Sequence, residues 1–179
     1  MTAIAGLVHD GRVHLGGDSA GVGGYALTVR ADAKVFANGP YVMGFTTSFR
    51  MGQLLRWSLE APHPKGDLEK FMSTVFVDAV RETLKDGGWL RKDSEREGGG
   101  TFLVGVRGRL FTIESDFQVG EAADGYAAVG CGHDLALGAL YATSGQRKPR
   151  RRLRLALEAA ERFSAGVRGP FAYVAEEVR

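Results

Sequence analysis

The chain has 179 residues, a mass of 19.2 kDa and 44% hydrophobic residues, which is enough for one domain with a substantial core. Its net charge of +2 demands neither nucleic acid nor a membrane surface as partner, and no run approaches the roughly 20 apolar residues of a membrane span. A single cysteine, Cys131, excludes an internal disulfide, and the start of the chain lacks the pattern of a signal peptide, so we expect a cytoplasmic location.

The first half of the chain is predicted to form mainly strands. Asp10-Gly11 is a strong hairpin signal between two apolar runs, and Asn38-Gly39-Pro40 marks a second turn. Strands are expected over residues 3–8, 12–15, 26–32, 34–37 and 41–47, with 26–32 paired to 34–37.

Two helices are expected next, and the second half repeats the order of strands, helices and a last strand. The first helix covers residues 49–60, and the second begins at a capping Asp67 and ends at Gly87-Gly88. The later elements are a loop at 91–100, a hairpin of 101–106 and 110–114, a strand at 126–129, helices at 133–142 and 149–163, and a strand at 171–178. This order predicts an α+β fold, a four-layer αββα sandwich in a single domain over residues 2–179.

Three residues at equal spacing suggest a nucleophilic site. Thr2, Asp18 and Lys34 are separated by sixteen and sixteen positions. Removal of Met1 would leave an α-amine and a hydroxyl on Thr2, and such an amine is a suitable base for activating the hydroxyl. Its ordinary pKa of about 7.7–8.0 suits proton transfer near neutral pH, and a neighbouring lysine charge favours its neutral form. Asp18 would hold Lys34 in place.

The segments around these residues resemble the proteasome β-type and HslV-type N-terminal-nucleophile (Ntn) hydrolases. The matching segments are 2–8, 16–20, 34–36, 42–45 and 128–132. The resemblance implies an Ntn-hydrolase fold and a threonine-type endopeptidase, in which the Thr2 hydroxyl attacks a peptide carbonyl. Its α-amine would be the general base, Lys34 would tune both groups, and Asp18 would orient Lys34.

The resemblance also implies a substrate cleft and its supporting residues. Backbone N–H groups near Thr47 and Ser48 would stabilise the oxyanion, with Ser48 as the matched position. The substrate would lie extended between Gly21-Val22 and Ser48 as an added strand. Cys131 stands where the family has a supporting serine, and the nearest C-terminal match is residues 164–166, which lack the aspartate of the family pattern.

The first side-chain pocket is placed by the same resemblance near Asp32, Thr46 and Arg50. The opposite charges of Asp32 and Arg50 leave open whether the pocket prefers an acidic or a basic side chain.

The partners follow from the family as well. We expect polypeptide substrates, a self-compartmentalising homo-oligomer of stacked rings, and an ATP-dependent unfoldase ring on a separate chain, since this chain has no nucleotide-binding motif. No cofactor is expected, and the four histidines lack metal-ligand spacing with Cys131. Two alternatives stay open: a catalytically silent ring-forming scaffold of the same fold, and an Ntn amidohydrolase acting on a small amide.

One strongly basic run covers residues 147–154. It would suit a nucleic acid or an acidic partner, but no aromatic residue interleaves it for base stacking. A solvated helix start or a contact between subunits is therefore the favoured interpretation, and nucleic acid is not expected as a partner.

Overall fold

The computed structural model describes residues 1–177, and its first sheet is built around a tight hairpin. Strand β1 (Ile4–His9) turns through Asp10 and Gly11, both with positive φ, into β2 (Arg12–Gly17). Glycine adopts that left-handed conformation without steric penalty, as the hairpin signal predicts. Antiparallel neighbours flank the pair, β12 (Tyr126–Val129) beside β1 and β13 (Ala172–Ala175) beside β2, which completes a four-stranded sheet.

A second, five-stranded antiparallel sheet carries the larger share of the core. Its strands are β5 (Val35–Asn38), β6 (Tyr41–Phe45), β9 (Phe102–Val106), β10 (Arg109–Ile113) and β11 (Val119–Glu121), in the order β11–β10–β9–β6–β5. All five residues of β6 and of β9 are buried, because these strands lie inside the sheet and both faces of the sheet are covered.

The helices form two groups. Helix α1 (Phe49–Trp57) begins at Ser48, whose side chain caps it by accepting from the Arg50 N–H. It is followed by α2 (Leu68–Phe71), a π-helical turn (Met72–Phe76) and α3 (Val77–Asp86). The later helices are α4 (His133–Ala142) and α5 (Pro149–Phe163). None of the helices within residues 1–177 is both long and apolar enough to cross a membrane.

Three apolar clusters show that the layers are stacked as α, β, β, α. One joins α1, α2, α3 and the π-helical turn to the five-stranded sheet, and a second joins α4 and α5 to β1. The third lies between the sheets and includes Ile4, Leu15, Val42 and Leu103. Alternate residues along this segment therefore point to opposite layers. Ala3, just before β1, and Ala5 within it point towards the helices, and Ile4 points towards the other sheet. The predicted αββα sandwich is confirmed.

Some predicted boundaries and pairings are wrong. Residues 26–32 were expected to pair with 34–37, but β4 (Ala26–Val29) pairs with β3 (Ala20–Gly23) across a turn in which Gly24 has a φ of +59°. The expected loop at 91–100 contains a small hairpin of β7 (Arg91–Asp93) and β8 (Arg96–Gly98). Strand β11 was not predicted, and α1 ends at Trp57 rather than residue 60. The predicted end of the last strand, residue 178, lies outside the described residues.

The π-helical turn provides a test of which side chains stabilise the fold. Phe76 is fully buried and its ring centroid lies 4.9 Å from that of Tyr41, whereas the adjacent Val75 is half exposed. We expect Phe76→Ala to lower the free energy of unfolding by about 3–5 kcal/mol, because it leaves a cavity, and Val75→Ala to lower it by less than about 0.5 kcal/mol. Chemical denaturation of both variants measures the difference; equal losses would contradict this placement.

Candidate active site

Thr2 is held at the entry to β1 by contacts of its backbone with the segment that follows β12. Its carbonyl oxygen accepts from the Gly132 N–H at 3.3 Å. Gly130 has a φ of +98°, and a Cβ at that position would lie 2.3 Å from the same oxygen. Only glycine can therefore bring this backbone so close to Thr2. The side chain of Thr2 is buried as a result, with 5% of the residue exposed.

The hairpin register brings Asp18 and Lys34 to Thr2. Ile4 pairs with Gly17 across β1 and β2, so Asp18 follows directly opposite Ala3, and its N–H donates to the Ala3 carbonyl. Lys34 immediately precedes β5, and its carbonyl accepts from Phe45 of β6. The Lys34 ammonium then lies 2.9 Å from the Thr2 Oγ1 and 2.8 Å from the Asp18 Oδ1.

Asp18 is a fully hydrogen-bonded buried carboxylate. Besides Lys34, its Oδ1 accepts from the Ala3 N–H at 3.1 Å, and its Oδ2 accepts from the Ala20 N–H at 2.9 Å and the Arg168 N–H at 3.2 Å. These four donors come from four separate segments of the chain. They compensate for the loss of water around the charge and fix the carboxylate in one orientation.

The electrostatics of Lys34 follow from its position. Burial lowers the pKa of its ammonium below the ordinary value, and the charge and hydrogen bond of Asp18 oppose that shift. The side chain is almost fully buried, so the positive charge is directed at the Thr2 hydroxyl with little screening by water.

In the described chain Met1 still precedes the candidate nucleophile, so the nitrogen of Thr2 belongs to a peptide bond. The Thr2 hydroxyl donates to the Met1 carbonyl, and the Lys34 ammonium is 3.4 Å from the same oxygen. The Met1 side chain is more than half exposed and packs over Gly166, where a Cβ would lie 2.3 Å from it. With Met1 attached, Thr2 has no free α-amine that could act as a base.

Cys131 lies beside the nitrogen that would become this amine. The Thr2 N–H donates to the Cys131 Sγ at 3.3 Å, and the same sulfur is 3.5 Å from the Ser164 Oγ. The two residues that the sequence assigned to the supporting positions, Cys131 and Ser164, are therefore brought together next to Thr2.

The turn between β6 and α1 differs from the expected oxyanion site in one respect. The Ser48 N–H, the predicted donor, already donates to the Thr46 carbonyl at 2.6 Å. That contact closes a tight turn around Thr47, which has a φ of +60°, a rare conformation for a β-branched residue. The Thr47 N–H has no acceptor among residues 1–177, and the residue lines the cleft beside Thr2. The geometry therefore favours Thr47 over Ser48 as the donor.

Val22, the residue assigned to substrate binding by the sequence, also lines the cleft. The Arg30 N–H donates to the Ser19 carbonyl, so the alternation of an antiparallel pair directs the backbone of Gly21 towards β4 and that of Val22 away from it. Within the described part of the chain β3 has no second strand neighbour. An edge with unpaired N–H and C=O groups is thus available at Val22.

The pocket residues are arranged differently from the sequence expectation. Asp32 forms its ion pair with Arg30, while the predicted counter-charge, Arg50, donates to the Gly87 carbonyl at 3.3 Å. Sequence reasoning missed Arg30 and the backbone donor of Arg168. The Arg-x-Asp spacing was a signal for the first, because alternate residues of an extended segment share a face.

Among residues 1–177 there is no group of three or more His, Cys, Asp or Glu side chains arranged to hold a metal ion.

Comparison with known proteins identifies the fold. No family model matches the sequence, and no curated protein matches it. Thiobacillus denitrificans BPH, a bacterial proteasome homologue solved in complex with epoxomicin, superposes with a TM-score of 0.81 at 21% identity, over 99% of this chain and 100% of that one. HslV from Trypanosoma brucei gives a TM-score of 0.72 at 20% identity, over 98% and 100%.

A third structure, an Anbu mutant from Hyphomicrobium sp. strain MC1, gives a TM-score of 0.67 at 16% identity and covers 99% of this chain and 82% of that one. Each of the three superpositions extends over nearly the whole of the present chain. The resemblance predicted from the motifs is therefore confirmed at the level of the fold: this chain has the fold of the proteasome-like Ntn threonine peptidases.

Proposed function

We propose that this chain is a threonine-type endopeptidase subunit, whose nucleophile is the Thr2 hydroxyl after removal of Met1. The observation that carries the proposal is the contact of 2.9 Å between the Lys34 ammonium and the Thr2 Oγ1, with Asp18 2.8 Å behind it. A buried lysine aimed at a hydroxyl stabilises the alkoxide character that develops when the hydroxyl attacks. A purely structural Thr2 would not require a buried ion pair at that place.

The first half of the reaction forms an ester. The α-amine of Thr2 accepts the hydroxyl proton as Oγ1 attacks the substrate carbonyl, which produces a tetrahedral oxyanion. The N–H of Thr47, a cleft-lining residue whose N–H has no acceptor in the described chain, donates to this oxyanion. Collapse of the intermediate breaks the C–N bond, and the leaving amine takes the proton from the Thr2 ammonium.

The second half releases the product. The neutral α-amine accepts a proton from water, the hydroxide attacks the ester carbonyl, and the same N–H stabilises the second oxyanion. Expulsion of Thr2 Oγ1, reprotonated by the ammonium, restores the enzyme. Asp18 and Lys34 keep their charges through both halves, so their role is to position and to stabilise.

Substrate binding as an added strand is supported by the two walls of the cleft. The backbone of Val22 faces away from β4, and Thr47 stands at the end of β6 on the other side. An extended peptide between them would use the unpaired edge of β3 for main-chain hydrogen bonds.

A homo-oligomeric assembly is the second part of the proposal. It rests on the likeness to HslV and the proteasome homologue, and on apolar side chains that the single chain leaves exposed at Tyr25, Leu27 and Val29 of the β3–β4 hairpin. Stacked rings would enclose the cleft, and a separate ATP-dependent unfoldase would deliver substrates. We place this assembly in the cytoplasm.

A covalent probe tests the nucleophile directly. We expect the purified protein to lose Met1 and to gain the mass of one epoxomicin per chain, because a peptide epoxyketone reacts with both the hydroxyl and the α-amine of an N-terminal threonine. Intact-mass spectrometry measures both changes. Thr2→Ala abolishes the adduct, whereas Thr28→Ala, at a hydroxyl across the cleft, retains it. A processed chain without an adduct would favour the silent scaffold instead.

The pH dependence of epoxomicin adduct formation tests whether the reaction needs a charged Lys34. Adduct formation needs a neutral α-amine and a charged Lys34, so its rate should rise through the amine pKa and fall again at high pH. Because burial lowers the pKa of Lys34, the alkaline decline should be centred below its ordinary value of 10.5. Rates followed by mass spectrometry from pH 6 upwards, within the range where circular dichroism shows the fold intact, locate both limbs. A rate that still rises at the ordinary lysine pKa would contradict the assigned role.

The proposed homo-oligomer is tested by measuring the particle mass in solution. Light scattering coupled to size exclusion should give a particle mass that is a multiple of 19.2 kDa with many copies, since a closed ring needs several subunits. Val29→Glu should lower that mass, because it places a charge in an apolar contact. A wild-type particle of one chain at micromolar concentration would exclude the enclosed form of the proposal.

A further inference from the structure

The cleft beside Thr2 has a volume of about 320 Å³, and two aromatic rings and an arginine line the part of it nearest to α1. The Phe49 ring meets the Phe45 ring edge-on, with centroids 5.5 Å apart. Because Phe45 in turn packs over Gly52, where any Cβ would lie 2.2 Å from the ring, this aromatic wall is fixed in place.

Arg30 covers this wall. Its guanidinium carbon lies 3.8 Å from the centroid of the Phe49 ring, within range of a strong cation–π contact. The stem of the side chain runs over Gly21, where a Cβ would be 2.8 Å from the Arg30 Cδ. Gly21 therefore provides the space that lets the guanidinium reach across the cleft.

Asp32 neutralises this guanidinium. The Arg30 Nε and Nη2 donate to the two carboxylate oxygens of Asp32, at 2.7 Å each, in a bidentate pair. The hydrogen bond from Arg30 lowers the pKa of Asp32, so the carboxylate is charged at neutral pH. Arg30 lines the cleft and Asp32 holds it from behind; both side chains are partly exposed, at 36% and 44%.

We propose, given the peptidase function above, that Arg30 and Asp32 determine which substrate side chain the cleft accepts: an uncharged apolar one, with Asp32 as the residue that excludes acidic side chains. Phe45, Phe49 and the outer face of the Arg30 guanidinium offer apolar and polarisable surface to such a side chain. An acidic side chain would have to approach Arg30 beside a carboxylate that already occupies two of its donors, and like charges at that distance repel.

A basic side chain is disfavoured by the same arrangement. The Arg30 guanidinium is positive on the cleft surface, and the buried Lys34 ammonium adds a second positive charge behind Thr2, 5.6 Å from the Phe49 ring centroid. Asp32 cannot serve as counter-charge for a substrate cation while Arg30 holds both of its oxygens. Selectivity is therefore set by a charge pair internal to the enzyme, rather than by a single charge at the base of the pocket.

The test is a change of preference in Asp32→Asn. Two fluorogenic peptides that differ only in leucine or glutamate before the cleaved bond give two values of kcat/KM. We expect the glutamate-to-leucine ratio to rise about tenfold in the variant, because the freed guanidinium gains a charge-assisted hydrogen bond to the substrate. An unchanged ratio would overturn the proposal.

Two controls separate Arg30 from general charge effects. In the Arg30→Gln background, Asp32→Asn should no longer raise the ratio, since no guanidinium is left to be freed. Asp124→Asn, an exposed substitution of equal charge change near Gly125, at the end of β1 opposite to Thr2, should leave the ratio as in the wild type. If the glutamate-to-leucine ratio rises in either control, the effect comes from net charge, and the proposed role of Arg30 is overturned.

A failure of the peptidase proposal can be distinguished from a failure of the specificity proposal. If neither peptide is cleaved, or if Thr2→Ala cleaves them as well as the wild type, the peptidase proposal fails. The specificity inference is then decided by calorimetric binding of the two cleavage products, which end in leucine or glutamate, to the Thr2→Ala protein with and without Asp32→Asn. The same tenfold change in relative affinity supports it, and equal relative affinities overturn it.

Discussion

The buried ion pair between Lys34 and Asp18 is the interaction on which the rest of the site depends. Removing two charges from water carries a penalty of several kcal/mol for each ion, and a single Coulombic contact between them rarely compensates for it. Here the carboxylate receives three backbone N–H groups as well as the ammonium. The surrounding backbone is therefore arranged around this pair, and the Thr2 hydroxyl occupies the remaining side of the ammonium.

The same constraint explains the unusual backbone around the pair. Thr2 is brought under the ammonium only because Gly130 allows a close approach to its carbonyl, and the turn at Thr47, whose N–H has no acceptor in the described chain, adopts a positive φ. Such conformations are unfavourable in themselves and persist where the neighbouring structure over-determines them. Here the capped start of α1 and the buried strand β6 hold the turn from both sides.

Much of this site was accessible from sequence, for a local reason. Thr2, Asp18 and Lys34 belong to one hairpin and one strand start, so their spacing and the resemblance of the flanking segments to the Ntn hydrolases predicted that they lie together. The choice of an oxyanion donor was less accessible, because the contact that engages the Ser48 N–H depends on the φ angle of Thr47, which residue types do not determine. The pairing of β4 with β3 had a local signal in Gly23-Gly24, which opens their two-residue turn. The contribution of Arg168 to Asp18 spans 150 positions and depends on a tertiary contact that no local pattern encodes.

The contact with Arg168 means that the hydrogen bonds of Asp18 are completed late in folding. Its N–H donates to Asp18 across 150 positions of the chain, so the carboxylate acquires its last donor only when the segment after α5 has folded back onto β2. A partly synthesised chain would contain the threonine, the lysine and the aspartate, yet without that donor the ammonium would be held less firmly. In the peptidase proposed above, cleavage would thereby wait until folding is almost finished, which would protect the machinery that makes the chain.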